Sequence, residues 1–184
     1  MSRPKGWHSR GYLPHFDSPE AVQFITFRLA DSLPAVIEDL RRDDNILQRL
    51  DQELDTGLGT CWLRQPEIAS LIEGALLHFD EDRYRLLAWC IMPNHVHVVI
   101  EILDGPSLSE IVGSWKSFTA KRVNAKLGRS GSFWHADYFD RYMRNEDHLA
   151  RTITIEYVEY NPVKAGLVEV ASIWPWSSAR LRPS

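Results

Sequence analysis

Residues 84–102 read YRLLAWCIMPNHVHVVIEI, two apolar runs on either side of the turn triplet Met92-Pro93-Asn94. Runs of this length, rich in branched and aromatic side chains, suit strands, and so short a connection pairs them as antiparallel neighbours. The pattern predicts a central hairpin, 84–91 against 95–102. Along a strand, side chains two residues apart share one face at ~6.6 Å, so His95 and His97 can both offer an imidazole to one ion while Val96 and Val98 face the other way. Two histidines alone do not make a metal site, and a core histidine satisfied by backbone is an equally good reading of either one.

Working outward, residues 21–29 (AVQFITFRL) alternate like a first strand after the turn signal Ser18-Pro19. Residues 35–62 carry Val36, Leu40, Leu47, Leu50 and Leu54 at helical spacing and stop at Gly57 and Gly59, which reads as a helical insertion. Its acids Glu38, Asp39, Asp43, Asp44, Asp51, Glu53 and Asp55 suggest no catalytic spacing and are expected to decorate the surface or meet a partner. Pro66 opens a helix with Ile68, Leu71, Ile72, Ala75, Leu76 and Phe79 on one stripe, ending near Asp80. A Ser107-x-x-Glu110 capping box starts a helix that Gly128 stops. Residues 131–143 read as two short strands about a turn at Ala136-Asp137. Asn145 caps a last helix bearing Leu149, Ile153, Tyr157 and Tyr160, which Asn161-Pro162 should end. This order implies an α+β fold, an antiparallel ferredoxin-like or RRM-like sheet with helices mainly on one face. One domain, 1–184, is expected, with the insertion at about 35–62 and a tail at about 167–184.

Bulk properties agree with one globular domain: 184 residues, 44% hydrophobic and 25% charged. No run of ~18 apolar residues exists and the first residues do not form a signal peptide, so a cytoplasmic protein without a membrane partner is expected. Cys61 and Cys90 stand far apart and are read as reduced, buried thiols. A net charge of −4 speaks weakly against a nucleic-acid partner. Its distribution speaks for one: Lys116, Lys121, Arg122, Lys126 and Arg129 follow one another without an acid. Residues 1–16 interleave Arg3, Lys5 and Arg10 with Trp7, Tyr12 and Phe16, a mixture suited to a single-stranded backbone and stacked bases. A solvated arm and an ordinary surface helix would show the same basic content.

Tyr157 and Asn161 are four apart, so on a helix they are neighbours at ~6 Å, a phenol beside a metal-capable amide. A phenol with a reference pKa of ~10 is a poor nucleophile unless an adjacent divalent ion polarises the phosphate it attacks. Neutral imidazoles and an amide leave the ion's charge for an anionic phosphate, which favours Mg2+ or Mn2+. The bland alternative for Tyr157 is a core tyrosine with its hydroxyl on a backbone carbonyl.

The segments MPNHVHVVI, WKSFTAK, FWHADYFDRYMRNEDHL and YVEYNPVKAGLV, from GWHSRGYLPHFD near the start to WPWSSA near the end, resemble the single-tyrosine HUH transposases, and specifically the REP-associated tyrosine transposases. The resemblance implies the HUH endonuclease fold, a metal on His95, His97 and Asn161, and Tyr157 as nucleophile. Tyr160 is the competitor, but only Tyr157 shares a helical face with Asn161. The resemblance further implies a metal-dependent transposase that nicks single-stranded or hairpin DNA of REP type through a 5′-phosphotyrosine and then rejoins strands, as a monomer or homodimer. It nominates Arg3, Lys5, Trp7, Arg10, Tyr12, Lys116, Lys121 and Arg122 for DNA binding. The alternatives are a catalytically silent DNA-binding protein and a metal-dependent nuclease using water. Histidine-triad hydrolases do not fit, because Val99 stands where their third histidine would be.

Overall fold

The computed structural model describes residues 7–9, 14–16, 22–33, 46–143 and 148–183. Within them the strands are β1 (Trp7–Ser9), β2 (Pro14–Phe16), β3 (Val22–Arg28), β4 (Tyr84–Ile91), β5 (His95–Ile102) and β6 (Phe139–Met143). The helices are α1 (Ile46–Asp55), α2 (Pro66–Leu77), α3 (Leu108–Leu127) and α4 (His148–Lys164). The protein is α+β, built on a four-stranded antiparallel sheet in the order β4-β5-β3-β6.

The hairpin of β4 and β5 forms over the residues the spacing assigns, with Met92 N–H donating to His95 O at 2.9 Å to close the turn. Strand β5 lies between β4 and β3, and Thr26 and Cys90 are the Cα partners of His97 on either side. A middle strand pairs on both edges and is covered on both faces, which is why all of β5 is buried. Its alternation divides the core. Val96, Val98 and Ile100 join a cluster with Ile68, Ile72 and Leu76 of α2 and Ile111, Val112 and Trp115 of α3, while Val99 faces a second cluster with Phe24, Val158 and Tyr157. Helices α2 and α3 thus take one face and α4 the other.

The first cluster is pinned by polar links that only aromatic residues with polar tips can make. Trp115 Nε1 donates to Tyr84 Oη at 2.9 Å, and that hydroxyl donates to Leu76 O at 2.6 Å, so one chain of bonds crosses α3, β4 and α2. Ser107 and Glu110 form the expected capping box, and Gly128 ends α3 at φ 60, where a side chain would be strained. The tail folds back over the edge of β4: Ile91 N–H donates to Trp176 O at 2.8 Å and Trp174 Nε1 to Ile91 O at 3.0 Å.

Five expectations are corrected. Strand β3 is not first, since the β1–β2 hairpin precedes it. Helix α2 stops at Leu77, before Asp80. Residues 131–138 form no strand: Trp134 makes a single bridge to Leu29, and its indole turns inward to donate to Thr119 Oγ1 at 2.8 Å. Helix α4 runs through Asn161-Pro162 to Lys164. Pro162 lacks only the N–H that would reach the Val158 carbonyl. The next rung holds, with Ala165 N–H donating to Asn161 O at 2.9 Å, and the Asn161 side chain adds a bond of its own from Nδ2 to Tyr157 O at 3.0 Å. Both cysteines are free, but only Cys90 is buried. No helix among the described residues is long and apolar enough to cross a membrane.

Candidate active site

Strand alternation brings His95 and His97 to the sheet face covered by α4, with their Nε2 atoms 3.1 Å apart. Both residues are wholly buried. The far side of each ring has its own partner: His95 Nδ1 lies 2.8 Å from Asn94 Oδ1, and His97 Nδ1 lies 2.7 Å from Thr26 Oγ1. Asn94 Nδ2 donates to the Leu54 and Leu58 carbonyls, both at 3.1 Å, so its oxygen must face His95. His95 therefore carries its proton on Nδ1 and presents a lone pair at Nε2. A threonine hydroxyl can give or take a proton, so His97 is free to do the same.

Helix α4 supplies the other half. Tyr157 is edge-on to Phe24 and to His97, with ring centroids at 6.2 and 6.4 Å, and Phe24 stacks on His97 at 5.5 Å. The Tyr157 hydroxyl is buried and has no hydrogen-bond partner among the described residues, so it does not bond a backbone carbonyl there as a core tyrosine would. Asn161 is wholly buried with its Oδ1 also unpartnered. Tyr160 is 58% exposed and points away from this group.

Three further groups belong here that the sequence reading passed over. Asp51 of α1 is wholly buried, with Oδ1 3.6 Å from His97 Nε2. Neither of its oxygens has a hydrogen bond among the described residues. Asp55, one turn on, also buries an unpartnered Oδ1. Lys164 reaches in from α4, with Nζ 3.9 Å from Asp51 Oδ2 and 5.3 Å from the Tyr157 ring centroid. The acidic insertion is thus no surface decoration at this point. Asp51 falls on the Leu47, Leu50, Leu54 stripe, and an acid on an apolar stripe was the available signal. Lys164 follows Asn161 at i+3, again on the Tyr157 face.

The electrostatics follow from burial. His95 is held well below the ordinary imidazole range by desolvation and by the charges of His97 and Lys164. His97 is pushed down to about 3 by desolvation and Lys164. Desolvation pushes Asp51 up to about 7 against the pull of Lys164. Asp55 goes up to about 6, raised by desolvation and by Asp51 and lowered by Lys164. Both imidazoles are neutral near pH 7, the form in which they bind metals. Among the described residues no three His, Cys, Asp or Glu side chains already close into a metal shell.

The basic residues divide. Lys121 and Arg122 are exposed on α3, the guanidinium 5.5 Å over the ring centroid of Phe118, itself 46% exposed. Lys116 is half-buried, and its Nζ donates to Ala136 O at 2.9 Å beside an open groove of about 760 Å3 lined by Trp134, His135 and Tyr138. Lys126 is paired with Glu67. Trp7 stands in β1, while Arg3, Lys5, Arg10, Tyr12 and the cap residue Asn145 lie outside the described residues.

A sheet whose middle strand turns two imidazoles toward a helix carrying Tyr157 and Asn161 invites comparison with known proteins. The model of the IS200-like transposase family matches residues 66–161, over half of the chain, and the protein belongs to that family. Among individual relatives, the REP-associated tyrosine transposase of Escherichia coli K12 is 24% identical over 109 residues, 59% of this chain and 62% of that protein. A Haemophilus influenzae protein provisionally named as a REP-associated tyrosine transposase is 27% identical over 105 residues, 52% of this chain and 58% of that protein. The chain spans less than two thirds of either relative. The structure of a REP-associated tyrosine transposase bound to a REP hairpin is similar in fold, with TM-score 0.56 and 20% identity over 97% of this chain and 82% of that one.

Proposed function

We propose that the protein nicks and rejoins single-stranded DNA folded as a REP-type hairpin, with Tyr157 as nucleophile and a divalent ion held by His95, His97 and Asn161. The observation that carries this reading is the convergence of metal-capable polar atoms in one buried place. Among the described residues the Tyr157 hydroxyl and Asn161 Oδ1 have no partner, and the two imidazole Nε2 atoms lie within hydrogen-bond distance of each other at 3.1 Å. Neighbouring ligands of an ion with ~2.1 Å bonds stand about 3.0 Å apart, so the histidine pair is already spaced for one. Asn94 and Thr26 hold the rings from behind, the usual support of metal-bound histidine.

The residues then act as follows. The Tyr157 oxygen attacks the phosphorus and loses its proton. An O–P bond forms, the bond to the 3′ oxygen breaks, and that oxygen leaves as a hydroxyl once it has gained a proton. The 5′-phosphate stays on Tyr157, and attack by a 3′-hydroxyl reverses the step to rejoin strands. The bound ion would polarise the phosphate and stabilise the phenolate as it forms. Lys164, 5.3 Å from the Tyr157 ring centroid, adds positive charge on the same side. Lys121, Arg122 and Phe118 offer charge and a stacking surface for the backbone and bases. Such a substrate places the protein in the cytoplasm.

Labelled hairpin DNA incubated with Mn2+ should give a denaturation-resistant adduct that Tyr157→Phe abolishes and Tyr160→Phe leaves intact. An undiminished adduct in Tyr157→Phe would overturn the assignment. Cleavage without any adduct would favour water as nucleophile.

A further inference from the structure

We infer that Asp51, contributed by the insertion helix α1, is a fourth protein ligand of the ion held by His95, His97 and Asn161. This rests on the metal reading above and extends it to a residue outside the matched family segment, 66–161.

A buried carboxylate is costly unless something compensates it. Asp51 is wholly buried, yet among the described residues neither oxygen is hydrogen-bonded. Its ionisable neighbours include His97 Nε2 at 3.6 Å from Oδ1 and Lys164 Nζ at 3.9 Å from Oδ2. His97 Nε2 is the atom that also faces His95 Nε2, so Asp51 Oδ1 abuts the point on which the histidines converge. A lysine ammonium beyond hydrogen-bond reach is a weak partner for a carboxylate so fully withdrawn from water.

Helix α1 is fastened in this position. Asn94 Nδ2 ties the Leu54 and Leu58 carbonyls to the residue next to His95, and Leu54 is 1% exposed. Gly59 has φ 88, and a Cβ there would come within 2.6 Å of Asp31 O, so the exit from the helix is fixed by a close backbone contact. Asp31 Oδ2 in turn accepts from Thr60 N–H at 2.9 Å. Asp51 is therefore presented to the histidines by anchored backbone on both the sheet and the loop.

The chemistry is consistent. Two imidazoles and an amide oxygen are all neutral, and one carboxylate brings the ligand set toward the mixed nitrogen and oxygen donors that hold Mn2+ or Mg2+. It leaves one net positive charge to attract a phosphate. An isosteric amide at this position keeps the shape and removes the charge.

The test is Mn2+ titration of the metal-free protein, followed by calorimetry and by the metal-dependent rise in Tm, with no DNA present. Asp51→Asn should weaken Mn2+ by at least about tenfold and shrink the rise in Tm, while Glu53→Gln on the same helix leaves both unchanged. The metal-free Tm of Asp51→Asn should not fall, since no hydrogen bond is lost. As a second variant, Asp51→Cys should give a thiolate-to-metal charge-transfer band with Cd2+ that wild type lacks. If His97→Ala loses Mn2+ while Asp51→Asn binds it as wild type does and Asp51→Cys shows no band, this inference falls and the metal reading stands. If wild type itself binds no Mn2+, both fall.

Discussion

Asn94 Oδ1 lies 2.8 Å from His95 Nδ1, and the same side chain donates through Nδ2 to the Leu54 and Leu58 carbonyls at 3.1 Å. One amide thus sets the tautomer of an imidazole on β5 and fastens the end of α1, so the orientation of His95 and the placement of the insertion are coupled.

Replacing Asn94 by Ala should break both functions at once. Two carbonyls and one imidazole N–H lose their partner, which should cost about 1–3 kcal/mol in denaturant unfolding. Mn2+ affinity should fall about 10–100-fold, as when the outer partner of a ligand histidine is removed. Unchanged Mn2+ affinity in a folded Asn94→Ala protein would show that His95 needs no such support.

Thr26→Val separates the two imidazoles. The strand keeps a branched residue of similar shape, but His97 Nδ1 loses its partner at 2.7 Å. Mn2+ affinity should drop about 10–100-fold, while metal-free binding of hairpin DNA, measured by anisotropy, stays the same. A parallel loss of both would mean that the fold, rather than the imidazole, had been disturbed.

Lys121 and Arg122 are exposed on α3 and have no ion pair among the described residues, so any part they play in DNA binding should be electrostatic. Changing both to Gln should lower affinity at low salt and reduce the slope of log K against log salt by about 0.7 per charge for a single strand. A slope identical to wild type would remove α3 from the DNA contact.

Lys116 should behave differently, because burial pushes its ammonium from the ordinary 10.5 down to about 8, with Asp137 opposing and Arg28 assisting. Its charge is present below about 8 and is lost as pH rises through that value. Any share it has in DNA affinity should therefore fade between about pH 7 and 9, and Lys116→Met should flatten that fall. Stability carries the opposite sign: between about 8 and 10.5 the unfolded chain binds the extra proton, so this group favours folding as pH rises.

Much of the fold and half of the site were open to reading along the chain. Strand period two put His95 and His97 on one face, and helical period put Tyr157 beside Asn161, because both relations are local and repeat with the backbone. The hairpin 84–102 and the capped helix α3 were legible for the same reason. The first Gly131 strand was not, because Trp134 packs its indole toward Thr119 and the segment makes only one bridge.

What the sequence by itself determined is the pairing of residues within each element, since backbone periodicity fixes which side chains share a face. Only the tertiary structure decided which face met which. It laid α4 across the histidine side of the sheet, kept Pro162 inside that helix, and turned Asp51 of an apparently surface insertion into a buried carboxylate 3.6 Å from His97. That last contact joins residues 46 positions apart, and no local period encodes it: it exists because Leu54 packs into the core and Asn94 holds the Leu54 carbonyl of α1 beside the histidine-bearing strand.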